Sequence, residues 1–302
     1  AAEAAEESLG IAREVSEELG TPQSSCDVSV LLACMGGFAW ERGDLEAAGR
    51  YFQESLAIAR EVSQELATPE SRRDLSILLN IVGRVAGQRG DLEAAGRYFQ
   101  ESLAIAREVS QELATPESRR DVSVSLKDVG RVAERRDDLD AAMQCFGEAL
   151  GIQRELADSL GTPQSRRDLA ISLDNVGRMA ERRSDLEAAD RYFQESLTID
   201  RELADSLGTP ESRRDLALSL NSVGRVAEQS GDLEAADRYY KESMTILHEI
   251  AELVGTPQAI EDLALALGSR VHIAAELGDS ALAEHLEAEL SNLEEIVVEN
   301  RS

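Results

Sequence analysis

The feature that most constrains this chain is a fixed internal period. Thr-Pro occurs at Thr21, Thr68, Thr115, Thr162, Thr209 and Thr256, always 47 residues apart. An Asp follows each Thr by six residues, at Asp27, Asp74, Asp121, Asp168, Asp215 and Asp262. Residues Gly43 to Asp74 are identical to residues Gly90 to Asp121. A period this long marks a stacked array. It overrides the prior of two domains that a length of 302 residues would give.

Each period predicts two helices. Thr68 is a good N-cap, and Pro69 fits the first helical position, where its missing N–H costs nothing. Glu70 adds negative charge at the positive end of the helix dipole. Leu75, Leu78, Leu79, Val82, Val85 and Ala86 form an apolar stripe at helical spacing. Gly90-Asp91 breaks this helix, and Asp91 caps the next. The second helix sets Leu92, Ala95, Phe99, Leu103 and Ala106 on one face. Neither helix buries its stripe alone, so neighbours must stack.

Composition narrows the function. Asp and Glu number 59 against 31 Lys and Arg, a formal net charge of −28, which disfavours binding to nucleic acid. Hydrophobic residues make up 42% of the chain, enough for a continuous core. No apolar run approaches a membrane span, and no export leader is visible, so no membrane association is expected. Cys26, Cys34 and Cys145 form no CxxC, and read as reduced thiols of a cytoplasmic protein. No phosphate-cradling or nucleophile-elbow motif occurs, and His248, His272 and His285 make no HxxxH or HExxH pair. The chain is therefore expected to be no enzyme and to carry neither cofactor nor metal.

The unit resembles a tetratricopeptide repeat. Leu79, Gly83, Ala95 and Phe99 match that family's first-helix Leu and Gly and its second-helix small-x3-aromatic pair, with Ser102 at a later small position. The Gly recurs as Gly36, Gly83, Gly130, Gly177 and Gly224, and the aromatic as Phe52, Phe99, Phe146, Phe193 and Tyr240. The family's usual period is about 34. This longer unit is similar to kinesin-light-chain-type repeats and to arrays in bacterial multidomain signalling proteins. The family's first-helix Trp and Tyr are absent, and its closing Pro is displaced to the Thr-Pro junction.

Period and resemblance together predict an all-α, right-handed α-solenoid of stacked antiparallel helix pairs, a TPR-like superhelix. A single domain should run over 1–302, with a partial leading helix at 1–20. Repeats should follow at 21–67, 68–114, 115–161, 162–208 and 209–255, with a C-terminal capping repeat at 256–302. In that cap the aromatic becomes Glu287 and the Gly becomes Val271, giving the polar outer face that an array end needs. At the N-terminus, Ala1 corresponds to Ala48, so the chain starts inside a second helix, and Ala4 and Ala5 replace Tyr51 and Phe52. This reads either as a solvating helix or as a cut from a longer protein.

In the family the first helices line a concave groove. The matching positions here are Ile77, Asn80, Arg84 and Gln88, then Val124, Lys127, Arg131 and Arg135. They continue as Ile171, Asp174, Arg178 and Arg182, then Leu218, Asn221, Arg225 and Gln229. Spacings of three and four put each set on one helix face. The Arg ladder reads in two ways. It can bind the carboxylates of an acidic protein segment, or it can pair locally with Glu134, Asp174, Glu181 and Glu228. The aliphatic row Val30, Ile77, Val124, Ile171, Leu218 and Leu265 reads first as packing between helices and second as a strip for a bound segment. Trp40 either fills the first unit's open end or marks a contact point. The resemblance implies a protein-interaction scaffold, a sensor or docking arm of a larger signalling protein. The alternative is a structural module that self-assembles into a homo-oligomer.

Overall fold

The computed structural model describes residues 2–301, with side chains described for 6–293. Ala1 and the side chains of Ala4 and Ala5 lie outside the described residues. The described residues form thirteen α-helices and no strand. In chain order they are α1 (Ala2–Leu19), α2 (Pro22–Glu41), α3 (Leu45–Leu66), α4 (Pro69–Gln88), α5 (Leu92–Leu113) and α6 (Pro116–Arg135). There follow α7 (Leu139–Leu160), α8 (Pro163–Arg182), α9 (Leu186–Leu207), α10 (Pro210–Gln229), α11 (Leu233–Val254), α12 (Pro257–Glu276) and α13 (Ser280–Arg301). The chain divides into two compact units, Ala1–Ile152 and Gln153–Ser302. Among the helices that lie wholly within one unit, each packs on the next in sequence, as the repeat predicts.

The helix ends fall where the caps place them. Thr68 Oγ1 accepts the Ser71 N–H at 3.2 Å and starts α4. Asp91 Oδ1 accepts the Ala94 N–H at 2.8 Å and starts α5. The second helices end on a left-handed residue. Gly20, Gly161, Gly208 and Gly255 fill this position with φ between 57° and 61°, but Ala67 and Ala114 occupy it at φ 51° and 50°. A Cβ in that region costs about 1 kcal/mol. Ala67→Gly is therefore expected to raise stability by roughly 0.5–1 kcal/mol, read as a higher urea midpoint at constant slope.

Five helix pairs are keyed by a glycine under an aromatic ring. A Cβ on Gly83 would lie 2.6 Å from Phe99, and one on Gly177 would lie 2.8 Å from Phe193. Gly36 with Phe52, Gly130 with Phe146 and Gly224 with Tyr240 repeat the contact. Only hydrogen lets the second-helix ring sink onto the first-helix backbone. Trp40 stands edge-on to Phe52, ring centroids 6.2 Å apart, so it packs within the first unit's core. Glu287, at the aromatic position of the last pair, is exposed beside buried Leu286.

Ion pairs join one repeat to the next. On the second helices, Arg13 pairs with Glu54, Arg60 with Glu101 and Arg107 with Glu148 in the first unit. Arg154 with Glu195 and Arg201 with Glu242 do the same in the second. On the first helices, Arg73 clamps Asp121, Arg167 clamps Asp215 and Arg214 clamps Asp262.

Candidate protein-binding face

The positions matched to the family groove lie on α4 and α6 in the first unit and on α8 and α10 in the second. In the first unit, Asn80 is buried and donates from Nδ2 to Ser125 Oγ at 3.0 Å. Arg84 donates from Nε and Nη2 to Asp128 Oδ2 at 3.2 and 3.0 Å. Arg131 reaches the other oxygen, Oδ1, at 3.1 Å. Asp128 is 2% exposed and so holds two guanidinium groups from beneath. Arg135 donates to the Gly87 carbonyl at 3.1 Å. Lys127 is buried and Gln88 is exposed.

In the second unit, Arg178 donates to Asn175 Oδ1 at 2.7 Å. Arg225 pairs with Glu181, and Gln229 Nε2 donates to the same carboxylate at 2.7 Å. Arg182 is exposed. Asn221 Oδ1 is buried without a hydrogen-bond partner. Part of the ladder thus works between repeats, through Arg84, Arg135 and Arg225. Glu228, three residues after Arg225, accepts the Tyr240 hydroxyl at 2.8 Å instead. Asp174, four before Arg178, accepts Ser222 Oγ at 3.1 Å. Arg131 and Arg178 keep a partner on their own helix, whereas Arg84 and Arg225 reach the neighbouring first helix, because stacked helices bring the residue 44 positions away into reach.

Four of the six residues of the aliphatic row are exposed, Val30 at 61%, Ile77 at 40%, Ile171 at 40% and Leu265 at 66%, while Val124 and Leu218 are half-buried. Ser76 and Leu78, on either side of Ile77, take the packing instead. Beside this row each unit has a cavity at the same register, three repeats apart. The first-unit cavity, about 240 Å³, is lined by Cys26, Val30, Ala33, Ala59, Asp74, Ile77 and Ile81 among others. The second-unit cavity, about 360 Å³, places Arg167, Ile171, Asp174, Asp200, Asp215, Leu218 and Ser222 at the corresponding positions. Sequence reasoning missed both, since a void between stacked helices is set by their spacing, which the sequence pattern does not report.

Titration follows this polarity. Burial pushes the Asp200 carboxyl up to about 6, against the hydrogen bond from Ser219, while Asp215 and Asp174 raise it further and Arg167 lowers it. Burial also raises Asp174, opposed by Arg178, Ser222 and Arg225. In the first-unit cavity, burial and then Asp74 and Asp27 raise the Cys26 thiol, so it stays protonated. Among the described residues no group of His, Cys, Asp and Glu could hold a metal ion, and no helix is long and apolar enough to cross a membrane.

No family model matches the sequence, and no curated protein matches it. Solved structures do match the fold. BtubC (BKLC) from P. vanneervenii aligns with a TM-score of 0.65 and 18% identity over 83% of this chain and 91% of that one. A Rap protein complexed with Competence and Sporulation Factor aligns with a TM-score of 0.53 and 15% identity, over 96% of this chain and 80% of that one. A signal transduction ATPase with numerous domains from Pyrococcus horikoshii, with a tetratricopeptide repeat sensor, aligns at 0.55 and 15% identity. That match covers 94% of this chain and 40% of the ATPase. The chain therefore has the tetratricopeptide-like helical-repeat fold.

Proposed function

We propose that this chain is a non-catalytic scaffold that binds a segment of another protein along the face of its first helices. The observation that carries this is the exposed aliphatic row Val30, Ile77, Ile171 and Leu265, set beside a cavity in each unit of a strongly acidic molecule. Side chains left in water at one repeated register, where nothing inside the protein needs them, are what a bound segment covers. The structure of the Rap protein with its factor shows the same kind of fold holding a partner.

An acidic segment would meet Arg131, Arg135, Arg178 and Arg182, and each exposed pair would add about 0.5–1 kcal/mol. It would compete with Asp128 for Arg131. The aliphatic row has no such competitor, so we assign it the larger share of affinity. Two double variants separate the contributions, using 12-residue peptides selected on the wild type from a random display library. Ile77→Asp with Ile171→Asp is expected to weaken binding about tenfold or more, with melting unchanged. Arg131→Glu with Arg178→Glu abolishes binding if the segment is acidic. If this pair unfolds the array instead, the Arg residues serve only as ion-pair partners. Peptides that bind both double variants like the wild type would refute this face as the site.

Likeness to a repeat sensor within a multidomain ATPase supports a role as a docking or sensing arm of a larger signalling protein, which we place in the cytoplasm. The complete reading frame of the gene tests this, and an adjoining effector domain is the expected result. A second reading, self-association, has one observation in its favour. Ile11, Val15 and Leu19 on α1 are each more than 40% exposed, whereas Val62 and Val109, at the register of Val15, are buried. Light scattering against salt concentration discriminates, because screening would relieve repulsion between acidic copies. A monomer at every salt concentration discards this reading.

A further inference from the structure

The first-unit cavity differs from its second-unit counterpart in a respect that names its occupant. At three junctions an Arg of one first helix reaches the Asp of the next: Arg73 to Asp121, Arg167 to Asp215 and Arg214 to Asp262. Each pair is separated by 48 residues. Forty-eight residues before Asp74 stands Cys26. A thiol is too short to bridge and offers no positive charge. Asp74 consequently forms no hydrogen bond or ion pair among the described residues, and it is exposed where Asp121, Asp215 and Asp262 are covered. The cavity opens beside the missing guanidinium.

We propose that this cavity takes a basic side chain, arginine or lysine, from the bound protein segment, which restores from outside the Arg–Asp bridge that the other junctions build from within. The inference rests on the proposed segment-binding role and names the chemistry at one of its sockets. The cavity walls suit the whole side chain. Val30, Ala33, Ala59, Ile77 and Ile81 line the path of its methylene stem, and Asp74 receives its charged head. The surrounding charge points the same way. Asp27 and Glu70 add negative potential near Asp74, while Arg72 is held by Glu112 and Arg73 by Asp121. Partial desolvation holds the Asp74 carboxyl above its ordinary range, opposed by Arg73 and reinforced by Glu70, and a cation would counter that shift. An acidic or purely aliphatic side chain would leave Asp74 as it is.

The probe is a set of 12-residue peptides selected from a random display library on the wild-type chain. The expected result is a position fixed as Arg or Lys. Replacing it with norleucine, which keeps the stem and removes the charge, should weaken binding about tenfold. Asp74→Asn should weaken the basic peptide to the same extent and leave the norleucine peptide unchanged. Cys26→Arg rebuilds the internal bridge, so it should raise the melting temperature and exclude the basic peptide. Two results overturn the inference alone: selected peptides that depend on Ile77 but contain no basic position, or a basic position indifferent to both Asp74→Asn and Cys26→Arg. Peptides indifferent to Ile77→Asp, or no selected peptide at all, overturn the segment-binding role and the inference with it.

Discussion

Phe193→Ala is expected to destabilise the second unit by about 3–5 kcal/mol, and Gly177→Val by about 1–3 kcal/mol. Phe193 is 1% exposed, and its ring edge rests on the bare backbone of Gly177. Removing the ring leaves a cavity that a rigid helix pair does not close. Adding a branched side chain at Gly177 forces the ring out of a place it cannot leave without lifting the whole second helix. Gly37 provides the control, because a Cβ there would meet nothing within 4 Å. Gly37→Ala should therefore stabilise its helix by up to about 1 kcal/mol. Urea unfolding followed by circular dichroism measures all three. A repeat array need not unfold in one step, so slopes should be compared before midpoints are converted to energies. A Gly177→Val protein as stable as wild type would contradict the keyed packing.

The second large effect is a pH dependence set by Asp200. This carboxylate is 4% exposed at a register where other repeats place Ala59, Ala106, Gln153 and Leu247. Asp174 and Arg167 face it from α8, and Asp215 and Ser219 from α10. Its folded value of about 6 lies above the 3.8 of an ordinary Asp. The protonated form is thus favoured in the fold. The stability this gives is fully present below about pH 4 and is lost as pH rises through 6. The difference amounts to roughly 2–3 kcal/mol. Asp200→Asn keeps an acceptor for the Ser219 hydroxyl but does not titrate. Its stability should exceed that of wild type by this amount at pH 7.5 and match it near pH 4. Parallel stability curves for the two proteins over pH 4–7.5 would show that Asp200 ionises freely in the fold.

The repeated parts of this structure were legible because the period turns single-residue hints into six parallel observations. Thr68 and Asp91 cap helices as residue type predicts, and Gly83 meets Phe99 as the repeat pattern implies. The partners of charged groups were not legible. Glu228 is the nearest opposite charge along the helix to Arg225 and Glu181 the nearest to Arg178, yet Glu228 binds Tyr240 and Glu181 pairs with Arg225 of the next first helix. The helix-to-helix distance decides, and sequence spacing does not report it. The aliphatic row misled for a related reason. Ile77 sits one residue from Leu78, and a turn of about 100° per residue carries it from the core to the surface. Cys26 looked like an inert thiol, and its meaning appears only when Arg73, Arg167 and Arg214 are seen doing the job it leaves undone.

The most direct test of the central claim is photo-crosslink mapping of a selected 12-residue peptide carrying benzoylphenylalanine at successive positions. The account predicts adducts on the first helices, at or beside Val30, Ile77, Ile171 and Leu265. It predicts none on exposed second-helix residues such as Arg50, Arg97 and Arg191. Adducts concentrated on the second helices would contradict it.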